Sequence, residues 1–299
     1  DYFAALAFAR LSAIGADKAS ELSTRLRPAP ADLSQRLAQL QDPKRLANAS
    51  YQRAIAFSRM GRYEWVEAEA KRAGDELGEQ DSIPWLMLAL QEQLGAVKAS
   101  HRAASLALGD ATSCLTPTDC ERWALAYPRP FASLVEEHAS KQQLSTELVY
   151  GIMREESGFD PRIESYANAR GLMQLMLPTA ESTASSLSLP KPTAASLFEP
   201  ETAIPLGVGY LAKLASLFGG NEGLVMAGYN GGQGAVGKWL EERPQEPFDL
   251  WVEGIPYGQT RHYVKRVLSN AWTYRWLYEA EIQASFDPAT PVSTLAGLP

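Results

Sequence analysis

Apolar residues between positions 144 and 158 recur at the spacing of an amphipathic helix. Intervals of three and four residues place side chains on one helix face, and this apolar stripe consists of Leu148, Val149, Ile152 and Met153. Ser145 or Thr146 can cap the N-terminus. Gly158 suits a left-handed position after the last turn, and Pro161 prevents the helix from continuing. The pattern therefore predicts a helix that ends near Gly158.

An acidic side chain ends this stripe. Glu156 falls on the apolar face in the last turn, where a cleft could begin. Apolar surroundings and the partly negative carbonyls of a helix C-terminus both raise the pKa of a carboxylic acid, as a general acid at neutral pH requires. A helix-ending glutamate exposed to water is the other interpretation. Glu155 lies about 100° away around the helix and is expected to be solvated or ion-paired.

Residues 1 to 109 read as consecutive helices, because Ala, Leu, Arg, Glu and Gln dominate and prolines mark the breaks. The predicted helices cover residues 3–26, 31–41, 44–60, 63–77 and 82–94. Segment 51–73 resembles a tetratricopeptide-like hairpin with a turn at Gly61, and its small contact residues are Ala54, Ala56, Ala70 and Ala73. Stacked hairpins would form a superhelix, and a plain helical bundle is the alternative.

Segment 110–130 contains many turn formers and connects this part to the rest of the chain. Its Cys114 and Cys120 are predicted either to form a local disulfide in an oxidising compartment or to remain thiols. Further helices are expected beyond residue 131, and an extended tail from Ala284. The predicted fold class is all-α, with a helical repeat domain over residues 1–125, a linker to about residue 130 and a second domain over residues 131–299.

Composition narrows the possible functions. The hydrophobic share of 45% allows a full core, and no apolar run approaches the length of a membrane span. A net charge of −7 argues against a nucleic-acid-binding surface, which would be basic. The three histidines are scattered and predict no metal site or catalytic triad. No signal-peptide pattern follows Asp1, as expected for a processed protein or for part of a longer one.

Two further stretches carry candidate chemistry. Gly171 to Gln174 is expected to open a second helix, in which a methionine such as Met173 would ordinarily fill the core. Gly228 to Gly234 holds four glycines in seven residues, which predicts an irregular segment where the backbone can approach a ligand closely. Glycan cleavage usually employs two carboxylates, and the sequence offers no evident second one to pair with Glu156.

Four motifs in one order resemble the catalytic core of soluble lytic murein transglycosylases, which are relatives of goose-type lysozyme and cleave peptidoglycan. The motifs are Arg154-Glu155-Glu156-Ser157, Gly171-Leu172-Met173-Gln174, Gly228-Tyr229-Asn230-Gly231-Gly232 and Ile255-Pro256-Tyr257-Gly258-Gln259-Thr260-Arg261-His262-Tyr263-Val264. Ser165 lies between the first two, and Pro178-Thr179-Ala180 follows the second. The resemblance covers the second predicted domain well and residues 1–125 only in general character.

The resemblance implies a lysozyme-like, mainly helical catalytic domain that follows a helical superhelix. It implies that Glu156 serves as acid and then as base, that the substrate's N-acetyl group assists, and that the muramoyl 6-hydroxyl attacks in place of water to give a 1,6-anhydro product. No metal or cofactor is expected. The implied substrate-binding residues are Ser157, Ser165, Met173, Gln174, Tyr229, Asn230, Gln259 and Tyr263. Gln259 stands where the family often has Glu, which places subsite preference in question.

The expected partner is therefore the peptidoglycan glycan strand, with other cell-wall enzymes as further candidates, no nucleic acid, and a monomeric state. The expected location is the bacterial periplasm or cell envelope. Two other functions remain open from the sequence: a hydrolytic muramidase that uses the same acid, and a non-catalytic helical-repeat module that binds peptidoglycan or serves as a scaffold.

Overall fold

The computed structural model describes residues 2–15, 17–19, 21, 33–109, 117–279 and 288–295. Within these ranges the regular secondary structure is helical, which confirms the predicted all-α class, and the only β pairings are isolated bridges. The chain divides into two compact units, one made of Pro28–Pro130 and the other of Asp1–Arg27 together with Phe131–Pro299. Residues 1–27 thus group with the second unit, whereas the sequence-based division places them in the first.

The described residues of the unit 28–130 form α-helices. They are α2 (Leu33–Ala38), α3 (Pro43–Leu46), α4 (Ala49–Arg59), α5 (Tyr63–Leu77), α6 (Ser82–Gln93), α7 (Val97–Leu108) and α8 (Pro117–Ala126), with a 3-10 turn at Gln39–Gln41. One apolar cluster joins α4, α5 and α6 around the fully buried Tyr51 and Ile83. A second joins α6, α7 and α8 around Trp85 and Leu125.

The hairpin of α4 and α5 follows the predicted pattern with two differences. Gly61 adopts φ +69° in the turn, and Ala54, Ala70 and Ala73 are buried as predicted. Ala56 is exposed, so its predicted role in helix contact is wrong. The predicted helix 44–60 is two helices, because the side chain of Asn48 accepts a hydrogen bond from the Tyr51 amide and starts α4 anew.

The other unit contains the candidate site. Its helices are α1 (Tyr2–Ile14), α9 (Ala132–Lys141), α10 (Thr146–Ser157), α11 (Leu177–Ser186), α12 (Pro200–Leu217), α13 (Glu222–Gly231), α14 (Gln233–Glu242), α15 (Phe248–Glu253), α16 (Gly258–Tyr278) and α17 (Val292–Leu295). Helix α16 is the central element, since α1, α10, α13 and α15 all pack against it. In the described part of the chain no single helix could cross a membrane, although α12 and α13, bent by 119°, meet the length and composition criteria as a pair.

Residues 288–295 correct the prediction of an extended tail. Val292 is fully buried, and its amide donates to the Glu246 carbonyl at 3.0 Å. The Thr290 carbonyl accepts from the Phe248 amide at 3.2 Å, so this segment is bonded to the start of α15. The predicted disulfide remains a prediction, because Cys114 lies outside the described residues. The first part of the predicted tail, residues 284–287, lies outside them as well.

Candidate active site

Helix α10 presents Glu156 as the sequence predicts. The Ser145 side chain caps the helix by accepting from the Leu148 amide at 3.1 Å, and Gly158 ends it at φ +55°. The residues of the apolar stripe are buried, while Glu156 at their end keeps part of its surface accessible. Burial is the strongest influence on this carboxyl group and raises the pKa of Glu156 from its ordinary 4.5 to about 7.

Helix α16 places Tyr263 against Glu156. The Tyr263 hydroxyl donates to Oε1 of Glu156 at 2.6 Å. The two helices approach closely because α10 has Gly151 at their contact, where a Cβ would lie 3.1 Å from the Ala271 nitrogen and 3.2 Å from the Val267 carbonyl oxygen. Burial, followed by the negative charge of Glu156, raises the pKa of Tyr263 well above its ordinary value. Tyr263 therefore keeps its proton and acts as a hydrogen-bond donor.

Helix α13 contributes Tyr229 from another direction. Its hydroxyl donates to the Met173 carbonyl at 2.7 Å and so ties α13 to the turn that precedes α11. Burial raises the pKa of Tyr229 well above its ordinary value, and the charge of Glu156 is the next largest cause, which places the two side chains in one electrostatic environment. The ring of Tyr210 lies against Tyr229 with a centroid separation of 5.3 Å. No motif in the sequence indicates this contact.

The stretch Gly171 to Gln174 forms a turn, so the prediction that it opens a helix is wrong. Gly171 has φ +72°, and a Cβ there would lie 1.9 Å from the Leu197 carbonyl oxygen. Gln174 also adopts a positive φ of 46°. Its side-chain amide nitrogen, Nε2, donates to the Ile163 and Gly171 carbonyls at 3.1 and 3.0 Å. Met173 is fully buried. These contacts fix the turn, and helix α11 begins only at Leu177.

The glycine-rich segment is more regular than predicted. Residues 228–231 form the last turn of α13, and Gly232, at φ +87°, separates α13 from α14. Gly228 is needed for packing, since a Cβ there would lie 2.6 Å from the ring of Phe218. Oδ1 of Asn230 accepts from the Thr260 hydroxyl at 2.8 Å, which joins this turn to the start of α16. Thr260 is a further site residue that the sequence motif contained but did not single out.

The remaining predicted residues make other contacts. Ser157 is buried, donates to the Met153 carbonyl and accepts from the Phe159 amide, so its hydroxyl serves the end of α10. Ser165 accepts from the Ala169 amide at 3.0 Å within its own loop. Gln259 is exposed in the first turn of α16. The structure thus brings Glu156, Met173, Tyr229 and Tyr263 together, and substrate binding by any of the named residues stays a prediction.

Glu155 is ion-paired, as expected from its position. Its Oε1 lies 2.6 Å from Nη2 of Arg266 on α16. Arg154 also reaches α16 and donates from Nε to Oδ1 of Asn270 at 3.1 Å. Arg266 and Asn270 follow Tyr263 on the same helix face, which is the signal that could have identified them.

Among the described residues, no cluster of three or more His, Cys, Asp or Glu side chains is arranged to hold a metal ion.

The site is thus a half-buried glutamate at a helix end that accepts a hydrogen bond from a tyrosine, within an all-α unit. Residues 133–252 match the family model of the transglycosylase SLT domain, and curated relatives and solved structures of lytic transglycosylases are similar to this chain as well. Aligned over 158 residues, the chain is 35% identical to the soluble lytic murein transglycosylase of Escherichia coli K12. That alignment covers 52% of this chain and 24% of the relative.

Solved structures agree with this assignment. The chain resembles an inactive glutamate-to-glutamine variant of lytic transglycosylase Slt from Pseudomonas aeruginosa, with 28% identity, a TM-score of 0.59, and coverage of 83% of this chain and 38% of that one. The fold also matches the 70-kDa soluble lytic transglycosylase Slt70 of E. coli at 21% identity and a TM-score of 0.58, over 99% of this chain and 47% of that one. The alignments with the soluble lytic murein transglycosylases of Haemophilus influenzae and E. coli span about a quarter of the length of those relatives.

Proposed function

We propose that this chain carries a lytic transglycosylase that cleaves the β-1,4 bond between MurNAc and GlcNAc in peptidoglycan without consuming water. The observation that carries the proposal is the environment of Glu156: burial raises its pKa to about 7, and Tyr263 donates to one of its two carboxyl oxygens. At neutral pH such a group exists in both protonation states, which suits a residue that must first donate and then accept a proton.

The reaction divides into two proton transfers. Protonated Glu156 gives its proton to the glycosidic oxygen as the bond from that oxygen to the MurNAc anomeric carbon breaks. The substrate's N-acetyl group assists at the anomeric carbon, which accounts for the use of one glutamate. The carboxylate of Glu156 then takes the proton of the MurNAc 6-hydroxyl, and the oxygen of that hydroxyl bonds to the anomeric carbon. The products are a 1,6-anhydroMurNAc end and a free GlcNAc 4-hydroxyl, and the proton count balances.

Tyr263 fits the intermediate stage of this scheme. After the first transfer Glu156 is negatively charged in surroundings that disfavour charge, and the hydrogen bond of 2.6 Å from Tyr263 offsets part of that penalty. Oε2 carries the transferable proton in this arrangement, because Oε1 already accepts from Tyr263. Support from a relative comes from the Pseudomonas aeruginosa Slt structure, whose description attributes inactivity to a single glutamate-to-glutamine exchange.

The remaining assignments belong to the same proposal. Met173, Gln174, Tyr229, Asn230 and the other residues implied by the family motifs would bind the glycan. The helical unit of residues 28–130 would shape the approach of the glycan or contact other cell-wall enzymes, and the protein would act as a monomer in the periplasm or cell envelope. The relatives' description as murein transglycosylases supports the substrate and the location.

Mass spectrometry of muropeptides tests the proposal. Purified peptidoglycan is digested with the wild type, with Glu156→Gln, and with Glu241→Gln as the matched control on an exposed helix surface. We expect 1,6-anhydro products from the wild type and the control, and none from Glu156→Gln. Products heavier by one water would identify a hydrolytic muramidase instead. Binding of intact peptidoglycan without release would indicate a non-catalytic module, and equal release by Glu156→Gln would exclude Glu156 as the acid.

A further inference from the structure

Three consecutive residues at the end of α10 each contact a different residue of α16. Arg154 donates to Asn270 at 3.1 Å, Glu155 pairs with Arg266 at 2.6 Å, and Glu156 accepts from Tyr263 at 2.6 Å. On α16 the three partners lie three and four residues apart, so they form one row along the helix. The acid of the proposed reaction is therefore one member of a continuous row of polar contacts.

The middle contact controls a charge next to the acid. Glu155 is a second carboxylate beside Glu156, and its negative charge adds to the effect of burial in raising the pKa of Glu156. Nε of Arg266 donates to Oε1 of Glu155 at 2.7 Å, and Nη2 of Arg266 lies 2.6 Å from the same oxygen. A guanidinium that contacts one oxygen through two nitrogens both fixes the position of the carboxylate and compensates its charge.

The two hydroxyl groups that act on Glu156 carry no compensating charge. Tyr263 on α16 and Tyr229 on α13 are held neutral, because burial and the charge of Glu156 raise the pKa of both hydroxyls well above the ordinary value. Arg154 is directed to the amide oxygen of Asn270. The pair of Glu155 and Arg266 is where the structure bonds a cation directly to the carboxylate that adjoins Glu156.

We propose that Arg266 is a positioning residue that holds and neutralises Glu155 and thereby sets the proton affinity of Glu156. The proposal rests on the function proposed above, in which Glu156 donates and then accepts a proton. Without Arg266 the charge of Glu155 is uncompensated, so Glu156 binds its proton more tightly and is a weaker acid in the first transfer. The effect is moderate, because the Arg266 side chain is 55% exposed and water screens its charge.

Direct titration of Glu156 tests the proposal without requiring activity. The carboxyl resonance of Glu156 is followed by carbon NMR in protein labelled at glutamate and is assigned by its loss in Glu156→Gln. We expect Arg266→Gln to raise the pKa of Glu156 by about half a unit and to move the alkaline limb of the activity profile by the same amount. Arg266→Lys should restore most of the wild-type value, since it keeps the charge. Arg72→Gln is the control, because Arg72 is 57% exposed and pairs with Glu69 in the other unit.

A second background separates positioning from a direct charge effect. In Glu155→Gln protein, Arg266 has lost its partner, so Arg266→Gln should shift the pKa of Glu156 by less than half as much as in the wild type. An unchanged or lowered pKa in Arg266→Gln, or a full shift in the Glu155→Gln background, would overturn the proposal. Failure to release anhydro-muropeptides would instead overturn the proposed function, and the titration would still decide the role of Arg266.

Discussion

Tyr263 on α16 donates a 2.6 Å hydrogen bond to Glu156 on α10, and the two residues are separated by 107 positions in the chain. The bond favours the charged form of Glu156 and lowers its pKa, whereas burial, which is the larger effect, and the charge of Glu155 raise it. The proton affinity of the proposed acid thus results from opposing effects that reside on different helices. Changing one of them should move the pH dependence of the protein in a direction that the structure fixes.

Removing the hydroxyl of Tyr263 should weaken the acid. Tyr263→Phe keeps the buried ring and deletes the hydrogen bond, so the pKa of Glu156 should rise further. A hydrogen bond to a charged group contributes about 1.5–3 kcal/mol, and we expect release of anhydro-muropeptides at neutral pH to fall by roughly ten- to a hundredfold. Rates measured between pH 5 and pH 9 should also show the alkaline limb displaced upward.

Tyr257→Phe is the matched control for this change, because Tyr257 is 55% exposed and lies at the start of the same helix. Its rates should remain close to those of the wild type. A Tyr263→Phe protein with the wild-type profile at every pH would show that the hydrogen bond does not influence Glu156 during the reaction.

Replacing the acid itself should stabilise the folded protein in alkaline solution. The pKa of Glu156 is about 7 in the folded protein against an ordinary 4.5, so the folded state binds the proton more tightly than the unfolded state does. The wild type therefore loses stability as the pH rises from about 4.5 to about 7, and the loss persists above that range. Glu156→Gln carries no charge and still accepts from Tyr263. The free energy of unfolding of Glu156→Gln should exceed that of the wild type by on the order of 2 kcal/mol at pH 8, and the two should be nearly equal at pH 4.

Calorimetric melting at both pH values measures the difference, with Glu241→Gln as the exposed control. Equal changes at pH 4 and pH 8 would mean that the substitution acts through packing and not through ionisation.

The sequence predicts the structure correctly where contacts within about one helical turn determine it. The ends of α10 follow from Ser145 and Gly158, whose capping geometry depends on residues within one turn. The position of Glu156 on the apolar face follows from helical spacing alone. The structure retains these features because the tertiary packing of α10 agrees with its local preferences.

The features that were not predicted from the sequence depend on contacts between residues that are far apart along the chain. The last turn of α13 tolerates Gly228 because the ring of Phe218 occupies the space of a side chain. Gly171 forms a turn because the Leu197 carbonyl excludes a Cβ there. The pairing of Arg266 with Glu155 requires knowing that α10 and α16 are neighbours. None of these partners can be inferred from spacing within one segment.

The turn at Gly171 should tolerate no side chain. Its φ of +72° disfavours other residues, and a Cβ would lie 1.9 Å from a backbone oxygen that cannot move without displacing the chain at Leu197. We expect Gly171→Ala to lower the free energy of unfolding by about 3 kcal/mol or more. The same substitution at Gly237, inside α14 with open space around its Cβ position, should instead stabilise the protein by up to about 1 kcal/mol. Urea unfolding monitored by circular dichroism compares the two, and equal effects would contradict the assigned backbone strain.

A cluster of carboxylates at the opposite end of α16 should add a second pH dependence. Arg275 pairs with the buried Glu222 at the start of α13 and lies 3.9 Å from Glu279. Glu147, in the first turn of α10, is hydrogen-bonded to the Ser145 and Thr146 hydroxyls and faces the same group. The positive charge of Arg275 thus interacts with three carboxylates, those of Glu222, Glu279 and Glu147. Burial, and next the charge of Glu147, raise the pKa of Glu279 to about 7, although Arg275 lowers it.

Deprotonation of Glu279 should therefore destabilise the contact between the helices that carry the site. Since its folded-state pKa lies above the ordinary 4.5, the contribution of Glu279 to stability is greatest below pH 4.5 and is lost as the pH rises to about 7. Glu279→Gln should remove this loss and raise the free energy of unfolding at pH 8 by about 1 kcal/mol, a value reduced for the 30% exposure of its side chain. Glu156 titrates in the same range, so the comparison is made in Glu156→Gln protein by urea unfolding at pH 4 and pH 8. If Glu279→Gln had the same effect at both pH values, the cluster would owe its contribution to hydrogen bonding and not to the ionisation of Glu279.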